Sequence, residues 1–440
     1  MPSFDLRSFS GILRRDSYRR FWIGFAISAT GDAITSVALA WIVLERTHSA
    51  AALGELFVLL TAPVILGGFL AGWLLDRYDR RKVMIADNLI RGIGIFSIPV
   101  LNWLGLLTLN WIFGVATLYG LLFMISLAGG PSILPDLVHE SELATANSME
   151  TLGYTVSGVA GAPLAGVLIG IVGGPNVLVV DAACYGIFIA ALLSIRVNPP
   201  AFAEDKPGDK IRLLAGFQLL GSSPVLLSTT LMFMMFNVGS GLQNVWLPIF
   251  VTQGLGGGAA LYGLLLGALA AGSAVGALIG GSYTGRVPTG TLICASQVLS
   301  GCALVLLLVR PDSWVALVSL GLLGAASAPL TIWAQTLRMK LIPTALRGRA
   351  FALLRTLMQG ATPAGSAAGG LIIPVAGLAT TIGLTAGVMS APGAVGYVIP
   401  NLRNATGGAE KDSLVVDKQQ LPVDVGQTER DGSPPANRAG

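Results

Sequence analysis

The feature that most constrains this chain is a series of long apolar runs separated by short polar breaks. Twelve runs approach or exceed the roughly 20 apolar residues that a helix needs to cross a membrane. Only 11% of the 440 residues are charged, whereas soluble domains carry roughly 25%. The sequence therefore predicts an all-α membrane protein with twelve transmembrane helices. The predicted spans are 21–44, 51–75, 83–103, 111–134, 151–172, 176–196, 225–251, 259–281, 290–309, 314–336, 350–373 and 378–400.

The positions of lysine and arginine predict the orientation of these spans. With a cytosolic N-terminus, only Arg46 and Arg310 of the 27 cationic residues fall in loops of the opposite side. Two more, Arg91 and Arg355, fall within spans, and the others lie in cytosolic segments. Cationic residues concentrate in the cytosolic loops of membrane proteins. Both termini are therefore predicted to be cytosolic.

A constant offset relates the first six spans to the second six. Gly54 and Gly72 in span two are matched by Gly263 and Gly281 in span eight. Such an offset predicts two six-helix bundles in parallel repeat, an arrangement found in transporters. The predicted organisation is a cytosolic N-terminal segment (1–20), an N-terminal bundle (21–196), a cytosolic linker (197–224), a C-terminal bundle (225–400) and a polar, disordered cytosolic tail (401–440).

The loop between spans two and three is densely charged and reads Gly72-Trp-Leu-Leu-Asp76-Arg77-Tyr-Asp79-Arg80-Arg81-Lys82. A loop of this kind lies at a membrane surface, because charges are costly in hydrocarbon. Orientation needs only cations, so the carboxylate of Asp76 indicates a further role. An anion at this position can interact with the positive N-terminal end of another helix. The alternative is that the loop serves orientation alone.

Three groups of residues carry a resemblance to a known family over residues 10–400. The Gly-x-x-x-Asp-Arg spacing of loop 2–3 resembles the signature of the major facilitator superfamily. Span five resembles the Gly-Pro-x-x-Gly motif of its drug:proton antiporters, with Ala162 in place of one glycine. Within this superfamily the chain is similar to the macrolide and siderophore exporter branch in three motifs. These are Asp-Arg-x-Asp-Arg-Arg in loop 2–3, Thr30-Gly31-Asp32 in span one and Val180-Asp181-Ala182 in span six. Two departures are Asp79, where the family usually has glycine, and the lack of arginine in span four.

The resemblance implies a gate on the cytosolic side and a bend in span five. It implies that Asp76 contacts the start of span eleven, near Arg347 and Arg349, and we expect Asp136 to bridge to Arg81 or Lys82. A glycine-rich packing face is the alternative to a hinge in span five. The predicted inner gate comprises Gly72, Asp76, Arg77, Arg81 and Asp136, and the predicted hinge comprises Gly158, Gly161, Pro163 and Gly166.

Ionisable residues inside spans are functional candidates, because a charge in the membrane is costly. Asp32 lies about eleven residues into span one, roughly 16 Å deep at 1.5 Å per residue. Ser28 and Ser36 share its helical face, so we expect the three to face an interior cavity. The predicted role of Asp32 is a proton or substrate site, and a structural carboxylate is the alternative.

The other residues of interest inside spans are one predicted ion pair and several candidates for a functional role. Asp87 and Arg91 are four residues apart and favour a self-neutralising structural pair. Asp181 has no such partner, so it either pairs across helices or binds a proton together with Asp32. Asn237 is near the middle of span seven, and we expect it to face Asp32 across the cavity, with Trp246 in the cavity wall.

The sequence and the resemblance together predict a secondary active exporter of small amphiphilic molecules, driven by proton antiport through alternating access. The expected partners are the substrate, protons and the bilayer of a bacterial cell membrane, without nucleic acid, and the expected state is a monomer. No cofactor, metal-ligand spacing or catalytic constellation is expected, so the chain is not an enzyme. The alternatives are a facilitator or importer of a polar metabolite and a non-transporting membrane sensor.

Overall fold

Every long element of the protein is a helix in the computed structural model, which describes residues 11–195, 220–221, 223–282, 287–342 and 347–406. The described residues include twelve helices of at least 21 residues. They are α1 (Asp16–Thr47), α2 (Ala50–Arg77), α3 (Arg80–Trp103), α4 (Leu109–Ile133), α5 (Leu143–Val172), α6 (Gly174–Ser194), α7 (Pro224–Ile249), α8 (Ala259–Ser282), α9 (Thr289–Val309), α10 (Ser313–Leu341), α11 (Arg347–Ala376) and α12 (Leu378–Val398).

Eleven of these helices are long and apolar enough to cross a membrane. The all-α membrane class is therefore confirmed. The remaining helix, α11, has 30 residues with prolines at 363 and 374, and it is not among the eleven. The count of twelve spans thus stays a prediction. Most of the predicted linker, and the tail from residue 407 onward, lie outside the described residues.

Local chemistry explains where the helices begin and bend. Side chains cap the first backbone N–H groups of α2 and α4, since Ser49 accepts from Ala52 and Thr108 accepts from Trp111, both at 3.3 Å. Within α2 the helix is interrupted at Ala62, immediately before Pro63. Proline cannot donate the hydrogen bond that would continue the preceding turn.

The two predicted halves meet at two glycine crossings. A Cβ atom placed on Gly54 of α2 would lie 2.9 Å from the Cα atom of Gly370 on α11. A Cβ atom placed on Gly263 of α8 would lie 3.0 Å from the Cα atom of Gly166 on α5 and would overlap the carbonyl oxygen of Ala162. Glycine is needed at both crossings because the backbones touch directly. The two crossings occupy equivalent positions in the two repeats. In one, the first part of α2 contacts the last part of α11; in the other, the first part of α8 contacts the last part of α5.

The opposite ends of α2 and α8 are not packed in this way. A Cβ atom on Gly72 or on Gly281 would meet no atom of the described residues within 4 Å. Gly72, which belongs to the predicted inner gate, is therefore not at a close helix contact in the described part of the chain. The contrast between the two ends indicates that the halves are held together near the starts of α2 and α8.

We predict that Gly263→Ala destabilises the protein, whereas Gly281→Ala in the same helix does not. The first methyl group meets the α5 backbone and the second meets open space. Overpacking of this kind costs about 1–3 kcal/mol. Thermal denaturation of the purified variants in one detergent tests this. Equal melting temperatures for the two variants would contradict the crossing as a site of tight contact.

Candidate functional site

A buried arginine on α3 forms the centre of a charged cluster in the first half of the chain. The Arg91 side chain is 0% exposed. It donates two hydrogen bonds to Asp87, from Nε to Oδ1 at 3.1 Å and from Nη2 to Oδ2 at 2.8 Å. The rings of Tyr119 on α4 and Tyr185 on α6 lie 5.5 and 4.9 Å from its Cζ atom. Buried ionic groups need this degree of hydrogen bonding to offset their lost hydration.

Asp32, in the middle of α1, is tied to the same arginine through one of its two oxygens. Its Oδ1 atom accepts hydrogen bonds from Arg91 Nη1 at 3.1 Å, from the Tyr119 hydroxyl at 2.9 Å and from the Tyr185 hydroxyl at 2.5 Å. Within the described residues Oδ2 accepts none, and the side chain is 14% exposed. One carboxylate oxygen is therefore fixed by the protein and the other is free.

Asp181 on α6 is fully buried beside α1. The hydroxyl of Thr35 donates to its Oδ2 atom, while Oδ1 has no hydrogen-bond partner among the residues that the structure describes. A Cβ atom on Gly31 would overlap Oδ1, so glycine at this position makes room for the carboxyl group. Our prediction left open whether Asp181 pairs with a cation across helices, and the described residues give it no ion pair.

The cluster carries more acid than base. It contains the carboxyl groups of Asp32, Asp87 and Asp181 against the single guanidinium of Arg91, so its net charge is −2 unless protons are bound. Burying excess charge is unfavourable. The arrangement can therefore hold protons, and the solvent-facing Oδ2 atom of Asp32 is the atom best placed to exchange them.

Asp32 also lines the wall of a cavity of about 360 Å³, which is formed by the first half of the chain and by Leu266 of the second half. The wall includes Tyr119 of α4, Tyr154 of α5 and Leu266 of α8, together with Ser36. Ser28 lines a smaller, adjoining cavity, where it also donates to the side-chain oxygen of Asn88 at 3.4 Å. The structure thus places Ser28, Asp32 and Ser36 along these two cavities, and their role as substrate-binding residues stays a prediction.

Two predicted cavity residues lie elsewhere. Trp246 is 0% exposed, and its indole N–H donates to the Thr385 hydroxyl at 3.1 Å. Our placement of Trp246 in the cavity wall is wrong, because it lies in the core between α7 and α12. The side-chain amide of Asn237 donates to the backbone oxygen of Met358 on α11 at 2.8 Å. Asn237 is not among the residues that line these two cavities.

At the end of α2, the predicted gate residues are exposed. Asp76 and Arg77 are both exposed, and the Arg77 guanidinium lies 5.9 Å from the ring of Trp73. Asp76 has no ion pair within the described residues, and the side chains at the start of α11 lie outside them. A contact between Asp76 and α11 therefore remains a prediction.

The beginning of α3 is fixed by bonds that the sequence did not predict. Asp79 caps α3 by accepting from the Lys82 backbone N–H at 3.1 Å, a role that glycine could not fill. Asp136 pairs with Arg80 at 3.6 Å, which corrects our expectation of Arg81 or Lys82. The Arg81 side chain is occupied otherwise, since it donates to a backbone oxygen at the end of α6 at 2.7 Å.

The predicted hinge residues of α5 contact helices of both halves. Gly161 lies against α1, where a Cβ atom would be 2.6 Å from that of Ala33. Gly166 and the ring of Pro163 lie against α8. Gly158 faces the cavity. The helix is continuous through Pro163, so the structure shows a packing face and leaves a hinge as a prediction.

Sequence reasoning missed two buried ionisable residues. Glu150 on α5 is 7% exposed, and its Oε2 atom has no hydrogen-bond partner in the described residues. Its Oε1 atom occupies the space where a side chain at position 130 would lie, and that residue is glycine. Arg338, which we counted as a loop cation, lies buried within α10, with its Cζ atom 4.5 Å from the ring of Phe233. Glu150 directly precedes predicted span five (151–172), so a carboxyl group at the edge of an apolar run was the available signal.

Comparison with known proteins identifies relatives along nearly the whole chain. A family model described as transmembrane secretion effector matches residues 8–430. The multidrug efflux pump Tap of Mycolicibacterium fortuitum is 25% identical over 390 residues, covering 86% of this chain and 94% of that protein. The enterobactin exporter EntS of Citrobacter koseri is 26% identical over 333 residues, covering 76% of this chain and 79% of that protein.

Solved transporter structures share the fold. The nucleoside transporter NupG has a TM-score of 0.70 at 13% identity, covering 87% of this chain and 98% of that chain. A D-xylose–proton symporter has a TM-score of 0.68 at 14% identity, covering 90% of this chain and 99% of that chain. At such identities the likeness concerns the fold alone.

We predict that Asp87→Asn lowers the free energy of unfolding much more than Asp16→Asn. Both carboxylates pair with an arginine on their own helix, but the Asp87 pair is 0% exposed and the Asp16 side chain is 67% exposed. Removing one partner of a buried pair costs about 3–5 kcal/mol, whereas an exposed pair contributes about 0–1 kcal/mol. Unfolding by sodium dodecyl sulfate in mixed micelles measures both. Similar losses would show that burial does not strengthen the Asp87 pair.

Proposed function

We infer that this chain, which belongs to the transmembrane secretion effector family of major facilitator transporters, exports small amphiphilic molecules in exchange for protons. The family and the relatives named above are transporters and not enzymes, and two of those relatives are named as exporters. The observation that carries the proposal is the half-satisfied carboxylate of Asp32, which lies in the middle of α1 on a cavity that Leu266 of the second half also lines.

The proposed transport cycle is alternating access. The glycine crossings of α2 with α11 and of α5 with α8 hold one end of the halves together. In the predicted orientation, with both termini in the cytosol, this end is the outer one, so the described conformation is proposed to be inward-facing. Opening of the outer end and closure of the end near Asp76 would expose the cavity to the outer side of the membrane.

Protons are proposed to drive export through Asp32, with Asp181 as a second site. The excess negative charge of the cluster favours proton binding when the cavity opens to the acidic side. Release on the opposite side leaves Oδ2 charged and ready to bind the substrate. At a membrane potential of about −100 mV, each proton contributes about 2.3 kcal/mol to the exchange.

The remaining proposals concern location and assembly. We propose a monomer in the bacterial cell membrane, with a cytosolic N-terminal segment, linker and tail. Gly72, Asp76, Arg77, Arg81 and Asp136 are proposed as the inner gate, and Gly158, Gly161, Pro163 and Gly166 as the hinge.

Import of a polar metabolite is the second candidate, because structures titled as a nucleoside transporter and a sugar–proton symporter share the fold. An importer of this kind needs polar contacts from both halves. In the second half, three of the described polar side chains, Asn237, Gln297 and Arg338, are bonded to backbone oxygens. This favours export of amphiphiles. A non-transporting sensor does not need an acidic cluster of this kind.

We predict that Asp32→Asn abolishes efflux driven by an imposed pH gradient, whereas Glu55→Gln leaves it unchanged. Asparagine cannot exchange a proton, while Glu55 is an exposed carboxylate near the start of α2. Uptake of a fluorescent efflux substrate into everted membrane vesicles with an acidic lumen provides the assay, with protein amounts matched by immunoblot. Driven efflux by Asp32→Asn at the rate of the unmodified protein would rule out Asp32 as the proton site.

A second prediction concerns the gate. We expect Asp76→Asn to lower the labelling of Ser36→Cys by an impermeant maleimide added from outside, in a Cys302→Ser background. An anion at a helix N-terminus is worth about 0.3–1 kcal/mol, which corresponds to a change of about two- to fivefold. Asp76→Glu keeps the charge and should restore labelling. Identical labelling of all three proteins would remove the gate role of Asp76.

A further inference from the structure

We propose that a groove between α3 and α6 binds an anionic phospholipid, with an acyl chain in the groove and the phosphate at Arg20 and Arg81. The groove shares no lining residue with the two cavities along α1, so the inference does not depend on what is transported. Two separate observations carry it: an apolar groove along these helices, and a pair of arginines beyond one end of the groove.

The groove is apolar and has a volume of about 400 Å³. On its α6 side the lining includes the small residues Ala182 and Gly186, and on its α3 side it includes the large, exposed side chains of Leu89, Ile93 and Phe96. Both helices are long and apolar enough to cross a membrane. Large apolar side chains exposed on such helices lie against lipid hydrocarbon, so an acyl chain is the occupant that suits this surface.

Two buried polar side chains fix the wall of the groove. Asn88 donates from its side-chain amide to the backbone oxygen of Met84 at 2.8 Å and accepts from Ser28 at 3.4 Å. The Tyr185 hydroxyl accepts from Arg91 at 3.1 Å and donates to Asp32 at 2.5 Å. These bonds hold both side chains in place without a ligand. A preformed groove has little ordering cost to offset when a chain binds in it.

The two arginines converge on the last turn of α6. Arg81 of α3 donates from Nη2 to the backbone oxygen of Leu193 at 2.7 Å, and Arg20 of α1 donates from Nη1 to that of Ser194 at 3.4 Å. Within the described residues neither arginine pairs with a carboxylate, and the Nε atom of Arg81 has no acceptor. Capping of the α6 carbonyl groups uses one bond of each guanidinium. The remaining N–H groups can bind a phosphate, which accepts such bonds in pairs.

The arginines and the groove lie along the same helix faces. Residues at three- and four-residue spacing share one face of a helix. On α3 this face comprises Arg81, Ile85, Asn88, Gly92 and Phe96, and on α6 it comprises Gly186, Ile189 and Leu193.

The distance between the two parts of the proposed site suits a phospholipid. At 1.5 Å per residue, the α3 side of the groove extends from roughly 10 to 23 Å beyond Arg81. A chain anchored at the surface of a bilayer reaches this depth, because the hydrocarbon core is about 30 Å thick. In the predicted orientation the arginines are on the cytosolic side, where anionic lipids attract basic residues.

Native mass spectrometry of the purified full-length protein in detergent tests the inference with two lipids that have the same chains. Dioleoyl phosphatidylglycerol is the anionic probe and dioleoyl phosphatidylcholine is the zwitterionic one. We expect the first to bind at least about fivefold more tightly, a difference equivalent to about 1 kcal/mol. Glycerol 3-phosphate in excess, which has the phosphate without chains, should not displace it.

Two variants separate the phosphate site from the groove. The double variant Arg20→Gln, Arg81→Gln should remove the preference for phosphatidylglycerol, whereas Arg19→Gln, which changes an exposed cation paired with Asp16, should keep it. Gly186→Leu should weaken binding of both lipids at least about fivefold, because its side chain enters the groove without meeting described atoms within 4 Å of its Cβ position. Gly114→Leu, at an equally open position on α4, is its control.

Other results would overturn the inference. Equal affinity for the two lipids, or an equal loss of preference in Arg19→Gln, would show that no specific phosphate site exists. Undiminished lipid binding by Gly186→Leu would show that the groove is not the site, and this variant keeps both arginines if the double variant does not fold. Displacement of the lipid by glycerol 3-phosphate would indicate a site for free phosphate compounds instead of a phospholipid.

Discussion

The buried guanidinium of Arg91 is the interaction on which the first half of the chain depends. It joins α3 to α1 through Asp32 and stacks against rings from α4 and α6. A single cation in hydrocarbon is costly to bury, so each of these four helices supplies a group that stabilises it. The same bonds orient the carboxylate of Asp32 with one oxygen toward the cavity. Stability and the candidate site therefore rest on one set of contacts.

The glycine crossings connect this cluster to the packing of the two halves. α5 touches α8 at Gly166 and touches α1 at Gly161, where the nearest side chain is that of Ala33, next to Asp32. Any rotation of α8 against α5 therefore acts on a helix that is packed beside the carboxylate. Direct contact of this kind is a physical route by which charge at Asp32 and the state of the crossing can influence each other.

Much of the fold was predictable, because apolar length and the i, i+4 relation are local properties of a sequence. They gave the helices, the polar face of Ser28, Asp32 and Ser36, and the pair of Asp87 with Arg91. The contact of Arg91 with Asp32 was not predictable in the same way, because it depends on which faces of separate helices meet. Trp246 illustrates the same limit: a helix that is apolar on all sides does not reveal which side is core and which lines a cavity.

The two halves differ in how they use polar groups, although they repeat the same architecture. In the second half, Asn237, Gln297 and Arg338 each donate to a backbone oxygen of a neighbouring helix. Such bonds fix helix positions, and none of these three side chains is a carboxyl group. In the first half, the carboxyl groups of Asp32 and Asp181 each keep one oxygen without a donor among the described residues. A transporter built in this way would bind its ions in one half and use the other half as a rigid partner. The repeated architecture would allow the halves to move against each other, and the difference in polar groups would confine ion binding to the first half.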